Sequence, residues 1–292
     1  MAYRFEPGRS AANEFLRIGA EELDASIQLL TRSEPALDER VHETRKHLKK
    51  LRALFALASG SIDADALERE TRALRKAAHA IADLRGQAAL IEAFDKLIEH
   101  SADAIPGDVA TRARAHLEGR REALAGETTT LEETAERLAK TRERLADLRP
   151  QRDGWAALEA GFRRTYARAR RTGEHARRHP NAPCLHRFRT PAKRHFYQIQ
   201  LLEPLWPELL HAQRKELSSL GDLLGDHHDL CLLLAELGAG ELLVEQNAIE
   251  ATIRRRTDEL ESSVFALERR LFAEKPRAAA TRFGAYFRAG AG

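Results

Sequence analysis

The sequence predicts an all-α protein made of internally duplicated helical bundles, and three observations carry that expectation. Alanine, leucine, arginine and glutamate dominate the 292 residues, aromatics make up only 6% and β-branched residues are sparse, so helix propensity is high almost throughout. Apolar residues recur at three- and four-residue steps between polar and Gly/Pro punctuation, and no stretch reads as a sheet. A nine-residue pattern, H-x-x-R-x-x-x-K-[KR], occurs twice at a separation of 144 residues, from His42 to Lys50 and from His186 to Arg194.

The elements follow in order. Ser10 to Thr31 reads as an amphipathic helix, and Pro35 sits where a first-turn proline would open a second helix that runs through Ala58 and ends at Gly60. Asp63 is placed to cap a third helix running to about Arg85, and Gly86 separates it from a fourth ending near His100. Pro106 and Gly107 mark Ser101 to Gly107 as a boundary between a first half, 1–105, and a second, 108–275. Asp108 to Leu148 holds two charged helical stretches interrupted near Gly126. A hinge at Arg149 to Gly154 then precedes a long helix that starts at Trp155 and stops before Pro180. The second half continues with a helix from about Pro183, a connection at Pro204 to Pro207, a helix to Leu224 and another from Asp226. Gly238 to Gly240 breaks the pattern, Glu241 to Lys275 forms a long charged helix, and 276–292 is expected to fray. Asp83-Leu84 and Asp229-Leu230, 146 residues apart, add a second correspondence between the halves.

Charge is concentrated rather than spread. The net charge is only +3, yet Val41 to Arg52 carries +4 and Gly161 to His195 carries +10, which leaves −11 for the rest. Two cysteines, Cys184 and Cys231, lie far apart with no hydrophobic leader after Met1, so a cytoplasmic protein without a disulfide scaffold is expected. A mean hydropathy of −0.49 and the absence of a long apolar run argue against a membrane span.

At 100° per residue, His42, Arg45, Lys49 and Arg52 share one helix face, flanked by Lys46 and Lys50, while Val41, Leu48, Leu51 and Phe55 form a separate apolar side. His186, Arg189, Lys193 and Tyr197 repeat the stripe, with Arg194 beside it. Pro191 leaves two alternatives: a helix beginning near Pro183 that contains the proline, or one beginning at Pro191 that excludes His186. On the Trp155 helix, Arg164, Arg168, Arg171, His175 and Arg178 form a third row. Like charges four residues apart destabilise a helix, a cost that no fold requires and that an anionic ligand would offset. Three- and four-residue steps advance about 5 to 6 Å, a spacing suited to successive anionic groups of a polymer.

The duplicated basic pattern, together with Leu220-Gly-Asp-Leu-Leu-Gly225-Asp-His-His-Asp229-Leu230, resembles the CHAD domain, a histidine-containing α-helical family. The resemblance spans roughly Glu6 to Arg270 and leaves no room for a separate catalytic domain. It implies two pseudo-symmetric four-helix bundles with long helical hairpins and a basic central groove that binds inorganic polyphosphate without catalysis or cofactor. The implied ligand residues are His42, Arg45, Lys49 and Lys50 in one half and His186, Arg189, Lys193 and Arg194 in the other. Association with polyphosphate granules would follow. The first half lacks the glycine and arginine of the family's Gly-x-x-Arg-Asp pattern, and the second has His228 at the arginine position. Asp83, His228 and Asp229 are therefore expected to support the basic side chains rather than touch the polymer.

Three rivals remain. Phosphotransfer through histidine lacks any Gly-rich phosphate loop or nucleophile elbow to accompany it. A metal site at Asp226 to Asp229 suffers because adjacent histidines on a helix point about 100° apart. Nucleic acid would feel the same field and compete, but Tyr197 alone is placed to stack on a base.

Overall fold

The computed structural model describes residues 3–82, 86–101, 104–123, 129–238 and 246–290, and no strand occurs among them. The first helix, α1 (Ala11–Thr31), is capped by Ser10, whose hydroxyl accepts from Asn13 N at 3.3 Å. In α2 (Leu37–Ala58) the expected apolar side, Val41, Leu48, Leu51 and Phe55, is buried; Pro35 lies ahead of the helix instead of in its first turn. Asp63 caps α3 (Ala64–Ala80) by accepting from Ala66 N at 2.9 Å. There follow α4 (Gly86–His100), α5 (Gly107–Ala123), α6 (Thr129–Glu143), α7 (Gly154–Arg178) and α8 (Ala182–Leu202). The last three are α9 (Pro207–Gly238), α10 (Gln246–Leu271) and α11 (Pro276–Gly290). The breaks expected near Gly126 and at 239–240 fall outside the described residues.

Two expectations are corrected. The helix expected to stop at Leu224 and restart at Asp226 is one element, α9, which passes through Gly221 and Gly225 without a break. The tail from 276 does not fray but forms α11, because Phe283 seats its ring 4.6 Å from Phe162 and 6.5 Å from Trp155. The halves on either side of 105 to 108 pack together, since α6 lies against α1 and α3.

Two apolar clusters hold the helices. One joins α1, α2, α3, α6, α7, α8, the first part of α9, the end of α10 and α11 around Phe15, Phe55, Phe162 and Phe188; the other joins α4, α5, the latter part of α9 and the first part of α10 around Phe94, Leu117 and Leu233. Each such side chain contributes about 1.5–3 kcal/mol on burial. His195 belongs to the first cluster, enclosed by Tyr166, Phe162 and Phe272 with ring centroids 5.3 to 5.8 Å away. Burial above all lowers its imidazole to about 3, so it is a neutral packing residue at neutral pH.

The backbones of α2 and α7 approach closely. A Cβ on Gly161 would stand 1.9 Å from the Leu57 carbonyl oxygen and 2.3 Å from that of Ala56, so only glycine admits this crossing. Gly161→Ala is expected to cost about 3 kcal/mol, the upper end for overpacking, because the clash is with backbone. Chemical denaturation reads this directly; an unchanged midpoint would contradict the crossing.

Candidate functional site

With their apolar sides turned inward, α2 and α8 leave their cationic faces on a common cleft. A concavity of about 140 Å³ opens there, lined by Lys49 and Arg52 from α2 and by Arg189, Thr190, Lys193, Arg194 and Tyr197 from α8. The two copies of the sequence pattern therefore meet in one site. α8 resolves the alternative left by Pro191: Asn181 caps it, accepting from Cys184 N at 2.9 Å, and the helix continues through the proline. His186, Arg189 and Lys193 accordingly share one helix.

The Leu220 to Leu230 segment of α9 backs this row in antiparallel register. A Cβ on Gly221 would lie 2.4 Å from Lys193 Cε, and one on Gly225 would lie 3.4 Å from Arg189 Nη2. The glycines thus make room for cationic stems instead of ending the helix. Asp222 accepts from Lys193 Nζ at 3.0 Å, and His228 Nδ1 lies 3.2 Å from His186 Nδ1. Burial, then His186, Arg189 and His227, hold His228 down to about 4, so this imidazole is neutral at neutral pH. Burial raises the Asp229 carboxyl, opposed by Arg189, reinforced by Asp226 and opposed again by Lys96 and Lys49. His227 is buried and faces Glu261 at 3.2 Å, away from its chain neighbour's partner.

Like charges crowd the concavity. Lys49 presents much of its side chain to solvent, yet its ammonium is held to about 8, first by lost hydration and then by Arg189, Arg45 and Lys193, with Asp229 opposing. Arg194 is lowered to about 10 by burial and then by Arg52, Arg168 and Arg75. Arg52 is lowered by burial and by Arg75. Among the described residues, the buried Nε atoms of Arg52 and Arg189 have no hydrogen-bond partner. A larger cavity of about 400 Å³ between α4, α9 and α10 mixes Glu92, Glu99 and Asp226 with Lys96 and Arg256, and lacks this single-sign character.

The other predicted residues divide. His42 and Lys46 are exposed at the same end of α2, with Glu43 at 3.8 Å and 3.2 Å respectively. Arg45 donates to the Ala82 carbonyl at 3.0 Å, tying α2 to the end of α3. Lys50 turns the other way, pairing with Glu22 of α1 at 3.2 Å over the Tyr3 ring, so it braces α1 against α2 and does not line the concavity. Tyr197 is buried, its ring edge-to-face with Tyr3 at 6.2 Å and Phe196 at 5.0 Å. In the third row, Arg164 donates to Ser59 Oγ at 2.8 Å and Arg168 acts on Arg194. Arg171, His175 and Arg178 are exposed on the latter part of α7 and are not among the lining residues, with Arg178 paired to Glu174. Asp83 lies outside the described residues. Thr190 and Asp222 lie within the quoted motifs but were not singled out there, and Arg75 lies in no stripe or motif; only helix-against-helix register brings Arg75 near Arg52.

No described helix is long and apolar enough to cross a membrane. No curated protein matches the sequence. Among solved structures, PptA from Streptomyces chartreusis is similar with a TM-score of 0.56 at 18% identity, over 93% of this chain and 98% of that one. At that identity the likeness bears on the fold, and it agrees with the all-α arrangement. The model of the CHAD domain matches residues 21–238, well over half of the length, and the chain belongs to the CHAD domain family.

Proposed function

We propose that this protein binds inorganic polyphosphate, without catalysis, in the groove between α2 and α8. The observation that carries the reading is the concavity in which Lys49 and Arg52 face Arg189, Lys193 and Arg194. Family membership supports the same ligand class. Five cations around one hollow destabilise the empty protein, and a flexible chain of phosphates offsets that repulsion without a shaped pocket. The paired patterns on α2 and α8, each backed by a following helix, fit an internally duplicated origin. A protein of this kind would reside in the cytoplasm and collect on polyphosphate granules.

Tyr197 favours polyphosphate over single-stranded nucleic acid. It is the aromatic residue of the groove, and both Tyr3 and Phe196 pack on it, so it offers no open face for a base. In competition at matched salt, polyphosphate is expected to displace single-stranded RNA of equal charge, and to bind more tightly than a sulfated polymer of similar charge. RNA holding its place against polyphosphate would overturn the ligand assignment. Equal affinity for the sulfated polymer would reduce it to general polyanion binding.

A further inference from the structure

The groove changes character along its length. At one end His186 meets neutral His228, Asp229 stands near Arg189, and Asp222 pairs with Lys193. Toward the other end carboxylates drop out and more arginines enter. Arg45 Nη1 bonds the Ala82 carbonyl at 3.0 Å, and two turns along each of the antiparallel helices α2 and α3 from that bond bring Arg75 level with Arg52. Gln198 Nε2 donates to Thr165 Oγ1 at 3.1 Å, and one turn along α8 and α7 from there brings Arg168 level with Arg194. Among the described residues no carboxylate pairs with Arg52, Arg168 or Arg194, and Arg75 has only Glu68, at 3.7 Å. Four guanidinium groups from four helices thus converge with little compensation. The resulting field is strong enough to perturb Arg194 itself, after the effect of its burial.

We propose that Arg52, Arg75, Arg168 and Arg194 form a discrete subsite for a terminal phosphoryl group, so that the groove grips a polyphosphate chain by its end. The inference rests on the polyphosphate reading above and adds a polarity to it. Each internal phosphoryl group of such a chain carries a single negative charge. A terminal group has a second ionisation near neutral pH, which brings it toward −2 and gives it more free oxygens to accept forked arginine donors. The densest anion therefore matches the four-arginine end. Singly charged internal groups match the stretch where Lys49, Arg189 and Lys193 are moderated by Asp229 and Asp222.

The test uses the full chain and inorganic polyphosphates of narrow, defined length, with binding followed by calorimetry and sedimentation. End recognition predicts two sites per free-ended polymer, at any length, that bind about tenfold more tightly than the remaining internal ones. Polymers whose two ends are converted to phosphoramidates should bind about tenfold more weakly, the effect of losing a charge-assisted hydrogen bond. Arg75→Ala, at an exposed position outside the concavity, should weaken binding of the free-ended polymer about tenfold and leave the capped polymer nearly unaffected, with unchanged circular dichroism. Stoichiometry rising in proportion to length at a single affinity, with capped and free polymers bound alike, would overturn the end subsite while leaving the polyphosphate reading standing. Failure to bind any polyphosphate would overturn both.

Discussion

Replacing Arg189 and Lys193 together by alanine is expected to lower affinity for long-chain polyphosphate by at least about a hundredfold, since each charge-assisted contact is worth about 1.5–3 kcal/mol. Lys49→Ala with Arg52→Ala should do the same, because all four residues line one concavity and a polymer held by both helices engages the second from an effectively intramolecular position. A short oligophosphate that reaches only one helix should show far less dependence on the other. Stability should change little: these side chains repel one another, and among the described residues Arg52 Nε and Arg189 Nε have no hydrogen-bond partner to lose. Calorimetric titration separates the outcomes. Halved stoichiometry at unchanged affinity would mean that the two patterns act as separate sites.

Local signals fixed most of the helices and half of the site. Ser10 and Asp63 cap where their side chains predict, and the buried residues of α2 are those its periodicity selects. The cationic stripes were legible for the same reason, since three- and four-residue spacing decides a helix face before any tertiary contact forms. What escaped depends on a second helix. Gly225 reads as a breaker in isolation, yet it and Gly221 spare α9 a collision with Arg189 and Lys193. Lys50 carries the right residue type at the right spacing, but Glu22 on α1 draws it away. Arg75 sits in no repeated motif and acquires its setting only from the register of α3 against α2, which the hydrogen bond from Arg45 to the Ala82 carbonyl fixes. The tail from 276 looked too rich in alanine and glycine to hold, but Phe283 finds an aromatic wall on α7 that no local pattern announces.

Salt should weaken binding steeply, and the discharge of Lys49 should weaken it above the neutral range. For a single-stranded phosphate polymer, log affinity falls by about 0.7 per phosphate contact for each decade of salt. The five cations lining the concavity then give a slope of about −3.5, so that moving from about 50 to 200 mM salt lowers affinity about a hundredfold. The pH effect has its own origin in Lys49, whose ammonium is held to about 8 by lost hydration and by Arg189, Arg45 and Lys193. An anion in the groove counters that repulsion and restores the proton. Below pH 8 the lysine is already charged in the free protein, and it takes up no proton on binding there. As pH rises through 8 the free protein discharges first, binding must recover a proton, and affinity should fall by up to about tenfold per pH unit. Lys49→Arg keeps its charge over this range and should flatten the fall while preserving the salt slope. An alkaline fall that persists unchanged in Lys49→Arg would show that Lys49 does not meet the polymer.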